Sequence, residues 1–404
     1  MTIRYGTIRL TFHKNRLLYW FLLIPFCLPD LVYYNSITSA IAQGWRIIVI
    51  VYSLLVFIKQ FRKYIVADWV MFLFFGLMAV VSLLNGEIPG TTLSFISVYI
   101  LFQKYIGDDA EGWLQTFVRL IWILAVLNLI TILVFPDGMY TSYSDSALEG
   151  YTRNWLMGYK NPMIRILLPG CAVSHIYSMW FHKRRIFPWL FTLVVLLTMI
   201  LVDSAAGLAG IIIFSVLVLL YQSPLRRIIS HWRLMASFVL TCLIDVVFII
   251  FRKQEIFNFI IDDLLHRSSS SMAGRTYIWD IALKFISQKP YFGYGEASST
   301  VMTAVGYSSH PHNYILYVLI QTGVIGLLIL IWLIILCNNK MRNCSRANLT
   351  IAGCLVSLFT AFWIMGIAES LTGALFFYPM FIFFRYLPGS DEEEITDHED
   401  QGNT

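Results

Sequence analysis

Long apolar runs separated by short polar breaks make up most of this chain. Read between charged residues and Pro/Gly breaks, they predict helices near 17–34, 43–58, 68–84, 91–105, 114–135 and 162–181. The second half adds 186–202, 205–221, 234–251, 312–336, 349–368 and 371–387. Many of these runs reach the roughly 20 apolar residues that cross a bilayer. The expected fold class is all-α, a polytopic integral membrane protein with about 12 transmembrane helices. Its predicted organisation starts with an N-terminus over 1–16 and nine spans over 17–251, with an external loop near 136–161. A large extracytoplasmic loop over 252–311, three spans over 312–387 and an acidic tail over 388–404 complete it.

Composition agrees with the pattern. Of 404 residues 58% are hydrophobic and 13% charged, whereas soluble domains carry about 25% charged residues. The basic residues also fix an orientation. One set of connections holds Lys59, Arg62 and Lys63; Lys183, Arg184 and Arg185; Arg226, Arg227 and Arg233; and Lys340, Arg342 and Arg346. The short connections on the other side, "NGEIPG", "DSAAG" and "AESLTG", hold no Lys or Arg. The positive-inside rule then puts both termini in the cytoplasm. The net charge of +5 is explained by these connections, so no nucleic-acid partner is expected. The first helix resembles a secretory signal but is long enough to span, and is expected to be retained. The six cysteines show no metal-ligand spacing and none lies on an external loop, so no disulfides are expected. The tail "DEEEITDHED" reads as a solvated segment.

Two external loops exceed what a connector needs. The longer, from Phe251 to Pro311, contains "GRTYIWDIALKFISQK", in which Tyr277, Ile278, Ile281 and Phe285 share one helical face. This predicts an amphipathic helix at the outer interface, with Asp280 and Lys284 paired across one turn. Pro290 ends it, and Gly293 and Gly295 permit a turn back toward the membrane.

Candidate chemistry gathers on this outer side. Arg275 stands near the start of that helix, where a guanidinium and free backbone N–H groups suit a phosphate or diphosphate; contact with lipid headgroups is the alternative. His310 and His312 flank Pro311 before an apolar helix. Their spacing is not a zinc signature, and no metal is expected. A neutral imidazole instead suits taking a proton from a hydroxyl, or else simply caps the helix. Asn313 would orient that ring or bind a hydroxyl. "RNWLMGYKNPMIR" supplies Arg153, Lys160, Asn161 and Arg165, and Glu369 in "GIAES" would pair with one of these cations or sit alone at the interface.

These stretches resemble the O-antigen polymerase and O-antigen ligase superfamily. Its members share an Arg-x-x-x-Trp helix (here Arg275 and Trp279), a Pro-x-x-Gly-x-Gly turn (Pro290, Gly293, Gly295) and a His-Asn opening a helix with Gly-x-x-Gly (His312, Asn313; Gly323, Gly326). "GYKNPMIRILLP" is similar to a Lys-Asn stretch in polymerases of capsule and exopolysaccharide clusters. The likeness covers roughly a quarter of the chain. The resemblance implies a glycosyltransferase of a bacterial cell membrane that needs no metal or cofactor. It would polymerise undecaprenyl-diphosphate-linked repeat units into a surface polysaccharide with inversion. In that scheme His312 serves as base, Arg275 neutralises the diphosphate, and a flippase and a chain-length regulator are partners. The ligases carry Ser-Arg-Gly where this chain has Ser204-Ala205-Ala206-Gly207. A different cation must therefore replace that arginine, with Lys160, Arg153 and Arg165 as candidates. A ligase that moves finished glycan is the second reading, and a lipid-linked oligosaccharide flippase the third, although no internal repeat is seen.

Overall fold

The computed structural model describes residues 2–5, 8–11, 14–143, 151–229, 232–252, 270–304, 308–342, 344 and 348–387. The acidic tail lies outside the described residues, as do 253–269 and 305–307 of the long loop. The chain is mostly helical. Its main helices are α1 (Lys14–Cys27), α2 (Ser36–Gln60), α3 (Val66–Leu84), α4 (Gly90–Val134) and α5 (Lys160–Trp180). They continue as α6 (Ile186–Leu201), α7 (Ala205–Gln222), α8 (Leu234–Asp245), α9 (Ser270–Gln288), α10 (Tyr314–Arg342) and α11 (Leu349–Gly366). Two small antiparallel sheets interrupt the all-α picture. One is β1 (Thr2–Tyr5) with β2 (Ile8–Thr11); the other runs β3 (Tyr140–Tyr143), β4 (Tyr151–Trp155), β5 (Gly158–Tyr159) in the connection between α4 and α5.

Six helices among the described residues are long and apolar enough to cross a membrane, and three apolar helices are shorter. The count of twelve is therefore not reached by length and composition. One reason is α4, which joins the predicted helices 91–105 and 114–135. Asp109 is non-helical there (φ −157°, ψ 72°), and the chain reverses. Phe102 and Phe117 would lie about 22 Å apart along a straight helix, yet their rings are 5.3 Å apart. The predicted spans 17–34, 186–202 and 234–251 appear as the three shorter helices, α5 is not among the six, and a further loss is the predicted helix 371–387. Its first residues form turns and only Tyr378–Tyr386 is helical, as a 3₁₀ segment. Leu371 (φ 51°) and Gly373 (φ 70°) lie in the left-handed region, which breaks an α-helix.

Polar connections collect at the two ends of the bundle. At one end Lys183 pairs with Glu111 at 2.7 Å and Arg385 with Asp68, near the start of α3, at 3.3 Å. At the other, Asn85 just beyond α3 contacts Lys289, and Glu296 accepts from Thr92 N at 2.6 Å.

The glycine motifs hold the long loop to the bundle. Gly323 interrupts α10 with φ 62° and ψ −167°, a conformation essentially confined to glycine. The "KPYFGYG" turn inserts its backbone into that break: Val324 N donates to Pro290 O (2.8 Å), Ile325 N to Tyr291 O (3.2 Å) and Tyr294 N to Ile320 O (2.9 Å). A Cβ on Gly293 would lie 2.6 Å from the Gln321 carbonyl carbon, closer than packed atoms come. The amphipathic helix α9 is then pinned against α10. From residue 275 onward its buried residues are Trp279 and Ala282, packed with Phe248, Tyr294, Leu316 and Ile320, while Tyr277 is exposed. The stripe is thus turned from the predicted one, because the helix seats its largest ring in protein. The expected Asp280–Lys284 pair gives way to an ion pair between Asp280 and Arg252.

Candidate functional site

The carboxylate of Glu369, just beyond α11, is the centre around which the predicted site residues meet. It is buried to 5% exposure. Arg275 from α9 approaches its Oε1 to 3.7 Å, and His312 Nδ1 lies 3.8 Å from its Oε2. Asn161 Nδ2 donates to Oε1 at 2.9 Å. Asn161 in turn accepts from Ser204 Oγ at 3.1 Å, which ties the start of α5 to the start of α7. Lys160 donates to the carbonyl of Asp203 at 2.9 Å, and its Nζ is 3.5 Å from the Asp203 carboxylate. Lys160 therefore stands at the start of α7. The cation expected to pair with Glu369 was one of Arg153, Lys160 and Arg165; Arg275 comes within ion-pair distance, while Arg165 acts on the carboxylate through its charge.

The remaining residues divide. Arg165 hydrogen-bonds the carbonyl and, at 2.9 Å, the hydroxyl of Thr372. With His310 it lines a cavity of about 350 Å³. Arg153 is not brought to Glu369: it lies on β4, paired with Asp137 at 3.1 Å on the exposed sheet. Asn313 is completely buried. Its Oδ1 accepts from Leu316 N (2.9 Å), capping α10, and its Nδ2 donates to Asp245 Oδ1 (2.7 Å) and Ile367 O (3.2 Å). Its side-chain donors face protein acceptors, so it positions the helix start and thereby His312. Asp245 was not singled out from sequence. Its signal was present, since a carboxylate inside the apolar run "TCLIDVVFII" is costly unless it has a task.

Electrostatics follow from this packing. Burial alone would raise the Glu369 carboxyl, but contact with His312 and the charges of His312, Arg275 and Arg165 outweigh it and hold the group below the usual carboxylate range. His310 is pushed down to about 3, by burial first and then by the neighbouring charges of His312 and Arg165. It therefore stays neutral at physiological pH. The two imidazole rings pack with centroids 4.3 Å apart. With Nδ1 of His312 toward the carboxylate, its Nε2 faces Ser308 Oγ at 3.3 Å. Backbone strain marks the same place. Asp203 (φ 52°), His312 (φ 50°) and Leu371 (φ 51°) are non-glycine residues in the left-handed region. Such conformations cost on the order of 1–3 kcal/mol each and gather where geometry matters.

A family model described as O-antigen ligase matches residues 190–331, the stretch that holds Arg275, the glycine turn and His312. A Rickettsia felis protein named "Putative polysaccharide ligase" is 30% identical over 24% of this chain, and a like-named Rickettsia conorii protein is 32% identical over 19%. These alignments span only 26% and 22% of the two relatives' own lengths. A third of that name, from Rickettsia typhi, is 22% identical over 86% of this chain and 91% of its own. Family model and relatives together bear out the likeness of this chain to the O-antigen ligase and polymerase superfamily.

Proposed function

We propose that this protein is an inverting membrane glycosyltransferase that uses a glycan carried on undecaprenyl diphosphate. The observation that carries the reading is the meeting of Arg275 and His312, from separate segments, on the one buried carboxylate of Glu369. In this mechanism Glu369 holds a proton on His312 Nδ1 and leaves Nε2 to take the proton of an acceptor hydroxyl. The freed oxygen attacks the anomeric carbon of the donor sugar, and the bond to the diphosphate oxygen breaks. Arg275 neutralises the charge that grows on the leaving diphosphate, the kind of preorganised stabilisation that is often the largest catalytic contribution. Lys160, at the Asp203–Ser204 entrance to α7, is the best-placed substitute for the arginine that ligases carry there.

The polymerase reading is preferred because that Ser-Arg-Gly arginine is missing; the relatives' names favour the ligase reading. Deletion of the gene separates them. A single repeat unit left on the acceptor supports a polymerase, free lipid-linked polymer supports a ligase, and an unchanged surface glycan removes both. The reading also requires the Glu369 end to face outward from the bacterial cell membrane, with both termini in the cytoplasm. Ser299 is exposed on that end. A Ser299→Cys variant is expected to react with a membrane-impermeant maleimide in intact cells, and labelling only after lysis would reverse the orientation.

A further inference from the structure

The larger cavity at the Glu369 end, about 700 Å³, has no part in the mechanism above. It lies between α2, α5 and the starts of α1's outer connection and α4, and its size is that of a ligand pocket (about 300–1,000 Å³). Of its lining residues only Glu296 falls within the stretch matched by the family model. Two of its apolar lining residues are strongly exposed: Ile47 and Ile88, at 60% and 81%. On α2 the neighbouring Ile41, Ile48, Val51 and Leu55 are exposed as well, which is the pattern of a lipid-facing surface.

Its lining is largely apolar, with Phe26, Ile50, Met163 and Leu375 among it, and its few charges balance. The charged residues lining it are Asp30, Arg46, Arg165 and Glu296, two acids against two cations. A diphosphate requires excess positive charge, so a neutral, hydroxyl-rich group fits better. The exposed Asp30 takes a hydrogen bond from Tyr33 N on its carbonyl, while its carboxylate, with no donor among the described residues, offers two acceptor oxygens suited to neighbouring hydroxyls. Arg165 Nε is buried without a hydrogen-bond partner, a donor still to be satisfied. Thr91, Arg165, Glu296 and Thr372 also line the smaller cavity that holds His310. The two chambers therefore share a wall, and the smaller one reaches His310.

We propose that the larger cavity is a saccharide subsite for the acceptor glycan, entered from the bilayer side past Ile47 and Ile88 and distinct from the Glu369 centre. The inference rests on the glycan-transfer reading. It assigns choice of acceptor to α2, α5 and the start of α4, outside the matched stretch.

The test uses the full chain in lipid nanodiscs with two probes: the repeat-unit oligosaccharide of the surface glycan altered by gene deletion, and farnesyl diphosphate. Gln43 is exposed and lines the cavity, so Gln43→Trp narrows it with little cost to folding. Oligosaccharide affinity is expected to fall at least tenfold, and the acceptor KM to rise with kcat nearly kept, while farnesyl diphosphate binding is unchanged. Arg275→Ala should show the reverse. Gln43→Cys, blocked after folding with a bulky maleimide, repeats the experiment if the tryptophan variant is poorly made. Oligosaccharide binding untouched by either change but lost in Arg275→Ala would overturn the subsite and leave the transferase reading standing. Failure of wild-type protein to bind the oligosaccharide or farnesyl diphosphate would overturn both.

Discussion

Cells whose only copy carries His312→Asn are expected to make no long surface glycan while the protein remains inserted and folded. Asparagine is the informative replacement. His312 has φ 50°, and Asn tolerates the left-handed region better than other non-glycine residues, so the backbone is respected while the base is lost. Loss of a general base typically costs 10²–10⁴-fold in rate, enough to stop processive elongation. Arg275→Ala is expected to lose about 10²–10³-fold, the scale of one preorganised charge-stabilising group. Arg275→Lys should recover part of this, since it keeps the charge but not the planar fork. The measurement is the length ladder of extracted glycan, with membrane level and melting temperature of each variant as the folding control. Normal ladders in both His312→Asn and Arg275→Ala would remove these residues from the mechanism.

Glu369→Gln tests the centre itself. The amide keeps the shape and can still accept from Asn161, but it removes the counter-charge facing Arg275 and His312. Activity should fall to a level similar to that of His312→Asn, because the imidazole loses the group that orients it. Stability should fall by on the order of 1–3 kcal/mol, toward the lower figure because Arg275 and His312 are each about a quarter exposed and water screens them. The sign of the pH dependence is determined. The folded-state pKa of Glu369 is depressed, so its contribution is fully present above the unfolded value, about 4.3. It is lost as pH falls through the lower folded value. Wild type and Glu369→Gln should therefore differ in melting temperature at neutral pH and converge in acid below the ordinary carboxylate range. A constant difference across that range would show that the carboxylate's charge is not what Glu369 contributes.

Much of the architecture could be read from the order of residues, because a span records itself locally. A run without charge has to find lipid or protein, and Lys/Arg between runs report which ends lie together. The helices over 68–84, 205–221 and 349–368 appear as α3, α7 and α11 within a few residues. Where sequence reading failed, a partner distant in the chain was deciding. The last apolar run reads as a helix by composition, yet Leu371 and Gly373 turn it under Arg165, and that contact comes from α5. The stripe of α9 reads as a lipid-facing face until Trp279 is seen buried against Leu316 and Ile320.

The candidate site divides in the same way. Its residue types could be named from local context: a guanidinium at a helix start, an imidazole at the mouth of an apolar run, a Lys-Asn pair before a helix. Their assignment to one another could not. Glu369 comes within 4 Å of Arg275 and His312 while Arg165 reaches it only through its charge, Arg153 goes to Asp137, and Asn313 turns inward to Asp245. The sequence by itself determined that this is a membrane bundle with cationic and imidazole groups at one end, since burial and charge cost are set residue by residue. Only the tertiary structure decided which carboxylate they share and that a second, charge-balanced chamber adjoins it. Pairing energies depend on distances of 3–4 Å, which helix packing sets and spacing along the chain does not record.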